Sequence, residues 1–329
     1  MSLLTVKDLK KENDVVALRD VTFSIEEKGV YGFFGKSGSG KTLLASLLGG
    51  LVDADSGEII FRDKDLCASS KNALMSKRKI GYIPDKCHFP QDLTMLELLD
   101  FTGKAKKVDP DKRARQIKEA LELTGMTSKA HKLIKELTPS EKKRLAYANA
   151  LLANPDMIII DEPLAIIDSA QKDSIKKLIA MLGRMKVVLL FSRRTSEVEE
   201  LCSRAGILNS GELVAFAPIE DLMSAVNKNV MATIRIRTRA VDKNSIMLSL
   251  SSVKQILKYE VLTVGSTDIS VKAELSTRDL VSQEVDRAVS AVGAELMSIK
   301  YLTFTLDDVI DILSDSNGYN NGDEEREEE

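Results

Sequence analysis

The chain has 329 residues, 43% of them hydrophobic, and a net charge of -3 from 47 Lys+Arg against 50 Asp+Glu. That length suggests about two domains with real cores, and the charge balance gives no support to a nucleic-acid-binding protein. No run approaches the roughly eighteen apolar residues of a membrane span, and Met1 to Asp14 is too charged for a signal peptide, so a cytoplasmic chain that reaches a membrane only through a partner is expected.

In chain order, the first informative element is an apolar strand, Val30 to Phe34, followed directly by Gly35, Lys36, Ser37, Gly38, Ser39, Gly40, Lys41 and Thr42. This is the phosphate-binding loop pattern of Gly, four residues and Gly-Lys-Ser/Thr, and it predicts a bound nucleoside triphosphate. The glycines let backbone N–H groups curl around phosphate oxygens, Lys41 reaches the β and γ phosphates, and Thr42 offers its hydroxyl to Mg²⁺. Leu43, Leu44, Leu47, Leu48 and Leu51 then recur at helical spacing, which predicts a helix packed on a sheet with its positive N-terminus toward the phosphates.

Farther along, Thr138 precedes Pro139 and stands three residues before Glu141, a capping box that starts a helix. Met157 to Ile160 reads as a buried strand ending in Asp161-Glu162-Pro163. In a phosphate-loop protein an acidic pair at a strand end has work: Asp161 holds Mg²⁺ and Glu162 polarises the attacking water. Cys67, Cys87 and Cys202 lack paired spacing, and His88 and His131 bring no second ligand pair, so neither a disulfide framework nor a zinc site is indicated.

After Leu222 the rhythm changes. Met231 to Arg239 alternates as a strand, Asn244 to Ser251 suits a helix, and Val253 to Val261 and Asp268 to Ala273 read as strands. A helix through Leu280, Val281, Val285, Ala288 and Val292 precedes a last strand, Leu296 to Phe304, and a short helix, Leu306 to Leu313. This order predicts a ferredoxin-like α+β domain over 226–313. Arg235, Arg237 and Arg239 form a basic stripe that reads as the solvated face of a half-buried strand. The last residues, 314–329, end in the acidic run Asp323 to Glu329 and are expected to be disordered.

The order of motifs over residues 1–222 resembles the ATP-binding-cassette ATPases. Besides the loop and the acidic strand, the resemblance rests on Gly81-Tyr82-Ile83-Pro84, Arg144-Leu145-Ala146, Asn154-Pro155-Asp156, Asp168 and Glu197 to Cys202. It implies an α/β P-loop NTPase, a RecA-like core with an antiparallel β subdomain and a helical subdomain at about 85–150, that uses ATP and Mg²⁺. It also implies two partners: a transmembrane permease subunit, and a second ATPase subunit whose signature segment closes on this chain's nucleotide. The C-terminal extension resembles that of antibiotic and multidrug exporters. In that family a coupling helix docks near the stripe Phe89, Leu93, Met95, Leu98, Leu99 and Phe101, for which a core role is the first reading.

Against the family pattern the departures cluster. The Leu-Ser-Gly-Gly-Gln/Glu signature is Leu137-Thr138-Pro139-Ser140-Glu141, so both glycines are gone, Pro139 brings no N–H, and Thr138 is left as the candidate for contacting a partner's phosphate. The expected glutamine is Asp85, whose carboxylate retains the ability to ligate Mg²⁺. The switch histidine is Arg193, a permanent cation able to hold a γ-phosphate but not to accept a proton. Met1 to Thr22 contains no Phe, Tyr or Trp to stack on adenine, which predicts loose purine selectivity. Nucleotide binding is therefore expected to be better preserved than turnover. Two arrangements follow, a slow ATPase or one half of an unequal dimer; a regulatory subunit working by occupancy alone is the alternative.

Overall fold

A computed structural model describes residues 2–12, 17–68, 71–226, 230–238, 243–265, 267–277, 279–301 and 305–309. The chain divides into two compact units, Met1–Ile219 and Glu220–Asp315. The first unit opens with β1 (Leu4–Lys11) and β2 (Leu18–Ile25), where near-alternation buries Leu4, Val6 and Leu9 and then Val21, Phe23 and Ile25. Next come β3 (Gly29–Phe34), α1 (Lys41–Leu48), β4 (Ser56–Phe61), β5 (Lys64–Asp65), α2 (Lys71–Lys77) and β6 (Ile80–Ile83). A helical segment of α3 (Met95–Ala105), α4 (Pro110–Leu123) and α5 (Pro139–Leu151) intervenes before β7 (Met157–Asp161). The unit finishes with α6 (Ser169–Gly183), β8 (Val187–Ser192), α7 (Thr195–Leu201), β9 (Arg204–Asn209) and β10 (Glu212–Pro218).

Two sheets result. One is antiparallel in the order β2-β1-β4-β5; the other has the order β10-β9-β3-β8-β7-β6 and is parallel except for β10. Strands β7 and β8 are buried at every position, which is why they read as continuous apolar runs and not as alternation. A single core joins the two sheets and α1, with Phe23, Phe33, Leu44, Leu48, Ile59 and Leu189 among its members. A second core, with Met95, Leu99, Ile117, Leu121, Leu145 and Leu152, holds the helical segment together. The consequence for chemistry is positional: β3, β8, β7 and β6 are parallel neighbours, so the residues following their C-terminal ends gather along one edge, the usual place for a ligand in an open α/β sheet.

Two local expectations are corrected. The leucine spacing predicts a helix reaching Leu51, but α1 ends at Leu48; Gly49 and Gly50 follow, Gly50 at φ +66°, and Leu51 is 62% exposed. The stripe from Phe89 to Phe101 is not one helical face. Phe89 and Leu93 precede α3 and pack against its core, Met95, Leu98 and Leu99 are buried, and Phe101 is 65% exposed.

The second unit contains β11 (Val230–Arg237), α9 (Lys243–Ser251), β12 (Ile256–Val264), β13 (Asp268–Leu275), α10 (Val281–Ala291) and β14 (Glu295–Tyr301), preceded by α8 (Ile219–Val226). Its sheet is antiparallel throughout in the order β12-β13-β11-β14. Ile234, Ile236, Val271 and Ala273 of the sheet pack against Ile246 and Leu250 of α9 and Val281, Val285 and Val289 of α10. Arg235 is exposed and Arg237 pairs with Glu295 at 3.2 Å, as suits a solvated sheet face. Arg239, the ends of the last expected strand and helix, and the acidic run from Asp323 lie outside the described residues.

Candidate functional site

The loop between β3 and α1 is built by chirality before chemistry. Gly40 caps α1 at φ 99°, where a Cβ would stand 2.7 Å from Leu18 Cδ2, and Gly38 at φ 81° faces open space. A side chain at either position would have to adopt a left-handed backbone that L residues resist. The loop thus sets its N–H groups at the positive end of α1, with Ser39 N donating within the loop to Lys36 O at 3.2 Å. It borders a cavity of about 250 Å³ formed by Ser37 to Leu43 together with Asp85, Glu162 and Arg193. Gly35 and Lys36 complete the loop and present carbonyl oxygens to Lys41.

Lys41 is 7% exposed, and its ammonium donates to Gly35 O at 2.7 Å, Lys36 O at 3.0 Å and Ser39 Oγ at 3.1 Å. Burial lowers its pKa from the usual lysine value, with Glu162 and Asp161 opposing the fall. A desolvated cation whose partners are neutral oxygens gains strongly from an anion placed beside it.

Asp161 ends β7 with 2% exposure, and burial raises its pKa; a hydrogen bond from Thr42 opposes that rise. The contact ties the phosphate loop to the acidic strand end. Burial favours the protonated form in the folded chain, so above the folded-state pKa the charged carboxylate subtracts stability, and the loss is relieved as pH falls toward the unfolded value. Asp161→Asn is accordingly expected to stabilise the nucleotide-free chain at pH 7 by about 1 kcal/mol, raising Tm by roughly 2–4 °C, as functional-site residues often do when replaced. Differential scanning calorimetry at pH 7 and pH 4 checks this; an unchanged or lower Tm at pH 7 contradicts it.

Glu162 follows at φ 51°, a left-handed conformation that a non-glycine residue holds only under local constraint. Its N–H donates to Phe191 O at 2.8 Å, which turns the side chain toward the cavity. The Arg193 backbone N–H (3.1 Å) and guanidinium Nε (2.9 Å) both donate to Glu162 Oε1. The cation expected to meet a γ-phosphate is therefore engaged with the carboxylate expected to activate water, and Glu162 raises the Arg193 pKa above its usual value. Beneath them, Ser192 donates to Glu197 Oε2 at 2.9 Å, and burial raises the Glu197 pKa.

Known proteins resemble this arrangement in sequence and in fold. The ABC transporter family model matches residues 18–165. The chain is 28% identical over 300 residues to the linearmycin resistance ATP-binding protein of Bacillus subtilis, covering 91% of this chain and 94% of that one. It is 30% identical over 227 residues to the lipopolysaccharide export system ATP-binding protein of Haemophilus influenzae, covering 68% and 94%. The chain belongs to the ABC transporter ATP-binding proteins. This cassette is an ATPase of that family. Importers match as well: the molybdate/tungstate import ATP-binding protein of Methanocaldococcus jannaschii is 30% identical over 230 residues, covering 69% of this cassette and 75% of its own length. A solved ATP-binding subunit of an ABC transporter has the same fold, with a TM-score of 0.62, 22% identity and 68% of this chain covered.

The signature position of this cassette is occupied by helix-capping chemistry. Thr138 Oγ1 accepts from Glu141 N at 3.2 Å, Thr138 N donates to Glu141 Oε2 at 2.9 Å, and Pro139 takes the first helical position. Ser140, 2% exposed, accepts from Asp168 N at 3.2 Å. Thr138 does not line the cavity of its own chain. Thr138→Ala should cost about 1 kcal/mol and lower Tm by roughly 2–4 °C; an unmoved melting curve would show the cap to be idle.

Among the described residues no group of three or more His, Cys, Asp or Glu side chains is placed to hold a metal. That does not disqualify Mg²⁺, which takes one or two carboxylates and completes its shell with phosphate and water. Sequence reasoning missed Lys143, buried to 1% exposure, and Tyr147, buried completely, both on α5. A lysine in a helix ordinarily reads as solvated, and no local pattern announces the contrary.

Proposed function

We propose that this chain is the ATP-hydrolysing subunit of an exporter, peripheral on the inner face of the membrane through a separate permease and paired with a second cassette. The observation that carries export is the reach of one likeness. The resistance-protein relative matches 91% of the chain, into the C-terminal unit, whereas the import relative matches 69%. The domains are read as a cassette over 1–222 with its helical part at about 85–150, an extension over 226–313, and an acidic tail over 314–329. With β11 taken as its first strand, the extension has the 4-1-3-2 antiparallel order of a ferredoxin-like domain. Among the described residues no helix is long and apolar enough to cross a membrane, and the permease is read as a separate subunit.

The mechanism follows from the groups that line the cavity and those beside it. ATP phosphates enter the loop of Gly35, Lys36, Ser37, Gly38, Ser39, Gly40, Lys41 and Thr42, and Lys41 exchanges its carbonyl partners for β- and γ-phosphate oxygens. Thr42, Asp161 and Asp85 offer hard oxygens that would hold Mg²⁺, whose chemistry there is to neutralise charge on the phosphates. Arg193 turns from Glu162 to the γ-phosphate, which is the stronger anion, and so frees the base in the presence of substrate. Glu162 then takes a proton from water as the water oxygen attacks the γ-phosphorus in line with departing ADP. Thr138 is the remaining signature group able to reach a partner's nucleotide. Because its side chain and the neighbouring Ser140 are engaged within the chain, the partner cassette is expected to carry the better signature.

Single-turnover ATP hydrolysis, by the chain alone and then with a co-purified membrane partner, tests this reading. Hydrolysis that rises with the partner supports it. Equal rates in both states would argue against coupling to a permease. Tight ATP binding without hydrolysis in either state would leave only an occupancy switch.

A further inference from the structure

Ser140, Lys143 and Tyr147 stand at i, i+3 and i+7 on α5 and share one helical face. That face is turned to the segment that carries the acidic pair. Ser140 Oγ accepts from Asp168 N at 3.2 Å, and Tyr147 OH donates to Pro163 O at 2.9 Å. Between them, the Lys143 ammonium donates to Asp161 O at 2.8 Å and to Pro84 O at 2.7 Å. Those two carbonyls belong to neighbouring strand ends: Ile83 pairs with Ile160 in the last rung of the β6–β7 ladder, and beyond it no sheet hydrogen bond fixes the spacing of the chains. Pro84 immediately precedes Asp85, and Asp161 is itself the other candidate carboxylate.

We infer that Lys143 is a positioning residue for the metal side of the nucleotide site, bracing the Asp85 and Asp161 strand ends at the spacing that lets both carboxylates face one cation. This rests on the Mg²⁺ assignment of the preceding subsection. A lysine with 1% exposure is an expensive way to fasten a helix. Burial lowers its pKa, while Cys87 and then Asp85, Asp161 and Glu162 favour its charge. Neutral side chains would fasten α5 at lower cost, so the ammonium is explained by what it holds: two carbonyls converging on one donor beside three carboxylates.

The sign of the effect separates bracing from mere charge. A point cation beside the site repels a divalent ion, so loss of the charge alone would tighten metal binding. Loss of the brace loosens it. The measurement is a Mn²⁺ titration of the ATP-loaded chain followed by electron paramagnetic resonance, with no turnover required. Lys143→Met is expected to weaken Mn²⁺ binding about tenfold, in the range typical of groups that orient metal ligands, while ATP affinity in EDTA stays within about twofold. Tyr147→Phe, which removes a hydrogen bond from the same face without touching Asp161 or Pro84, is expected to lower Tm and leave Mn²⁺ affinity unchanged. Unchanged or tighter Mn²⁺ binding by Lys143→Met overturns the inference. If that variant does not fold, Lys143→Leu, which likewise removes the donor, is measured instead, and wild-type Mn²⁺ affinity in it is equally fatal. Asp161→Asn is the reference: no loss of Mn²⁺ binding there would overturn the metal assignment itself, whereas a loss there without one in the Lys143 variants defeats only the brace.

Discussion

Replacing Glu162 by Gln is expected to abolish turnover, lowering the single-turnover rate of ATP hydrolysis about 10³-fold while leaving ATP affinity within about threefold. The expectation follows from what the side chain touches. Glu162 Oε1 accepts from two groups of Arg193 and from nothing in the phosphate loop, so its removal takes no donor away from the phosphates. A glutamine oxygen accepts from the same two N–H groups, and the left-handed backbone at this position is held by the Phe191 carbonyl, so the local geometry survives. What is lost is the ability to take a proton from water. Asp85 is the other carboxylate on the cavity wall, and a residual rate above about a tenth of wild type would transfer the role of base to it or to solvent. Rapid-quench measurement with radiolabelled ATP distinguishes these outcomes without depending on product release.

Much of this site is legible in sequence because its parts are local. The phosphate loop is eight consecutive residues whose glycines are required by backbone geometry, and Asp161-Glu162 is marked by two charges at the end of an apolar run. The alternation of two-residue and helical periods after Leu222 likewise foretold the order of elements in the second unit, because each strand there has one covered face. What escaped is long-range. Arg193 lies 31 residues from Glu162, and only the parallel pairing of β7 with β8 brings them together. Sequence assigned Arg193 to a γ-phosphate; in the structure it holds the base. Lys143 was invisible for a different reason: α5 is covered on nearly all sides, so its burial has no helical period to betray it. The leucine stripe was extended one turn too far, to Leu51, since spacing alone carries no stop signal and the Gly49-Gly50 pair does.

Lys41→Ala is expected to weaken ATP binding by about 10²–10⁴-fold, since two charge-assisted hydrogen bonds to phosphate oxygens contribute about 1.5–3 kcal/mol each. The structure also says what the variant should not do. The ammonium is buried against neutral oxygens, and burial already lowers its pKa despite the opposing carboxylates of Glu162 and Asp161, so its removal takes a poorly solvated charge out of the interior. Tm of the nucleotide-free protein is therefore expected to stay level or to rise, as Asp161→Asn should at the end of β7. That pairing separates a lost ligand contact from a collapsed loop: weak binding with an intact melting curve assigns the loss to the phosphates, whereas weak binding with a fall in Tm would make Lys41 a strut of the loop. Isothermal titration of ATP in EDTA, which leaves the loop as the principal anchor, gives the affinity directly. Binding within about threefold of wild type under those conditions would sink the nucleotide site at Gly35 to Thr42, and with it the roles given to Glu162 and Arg193.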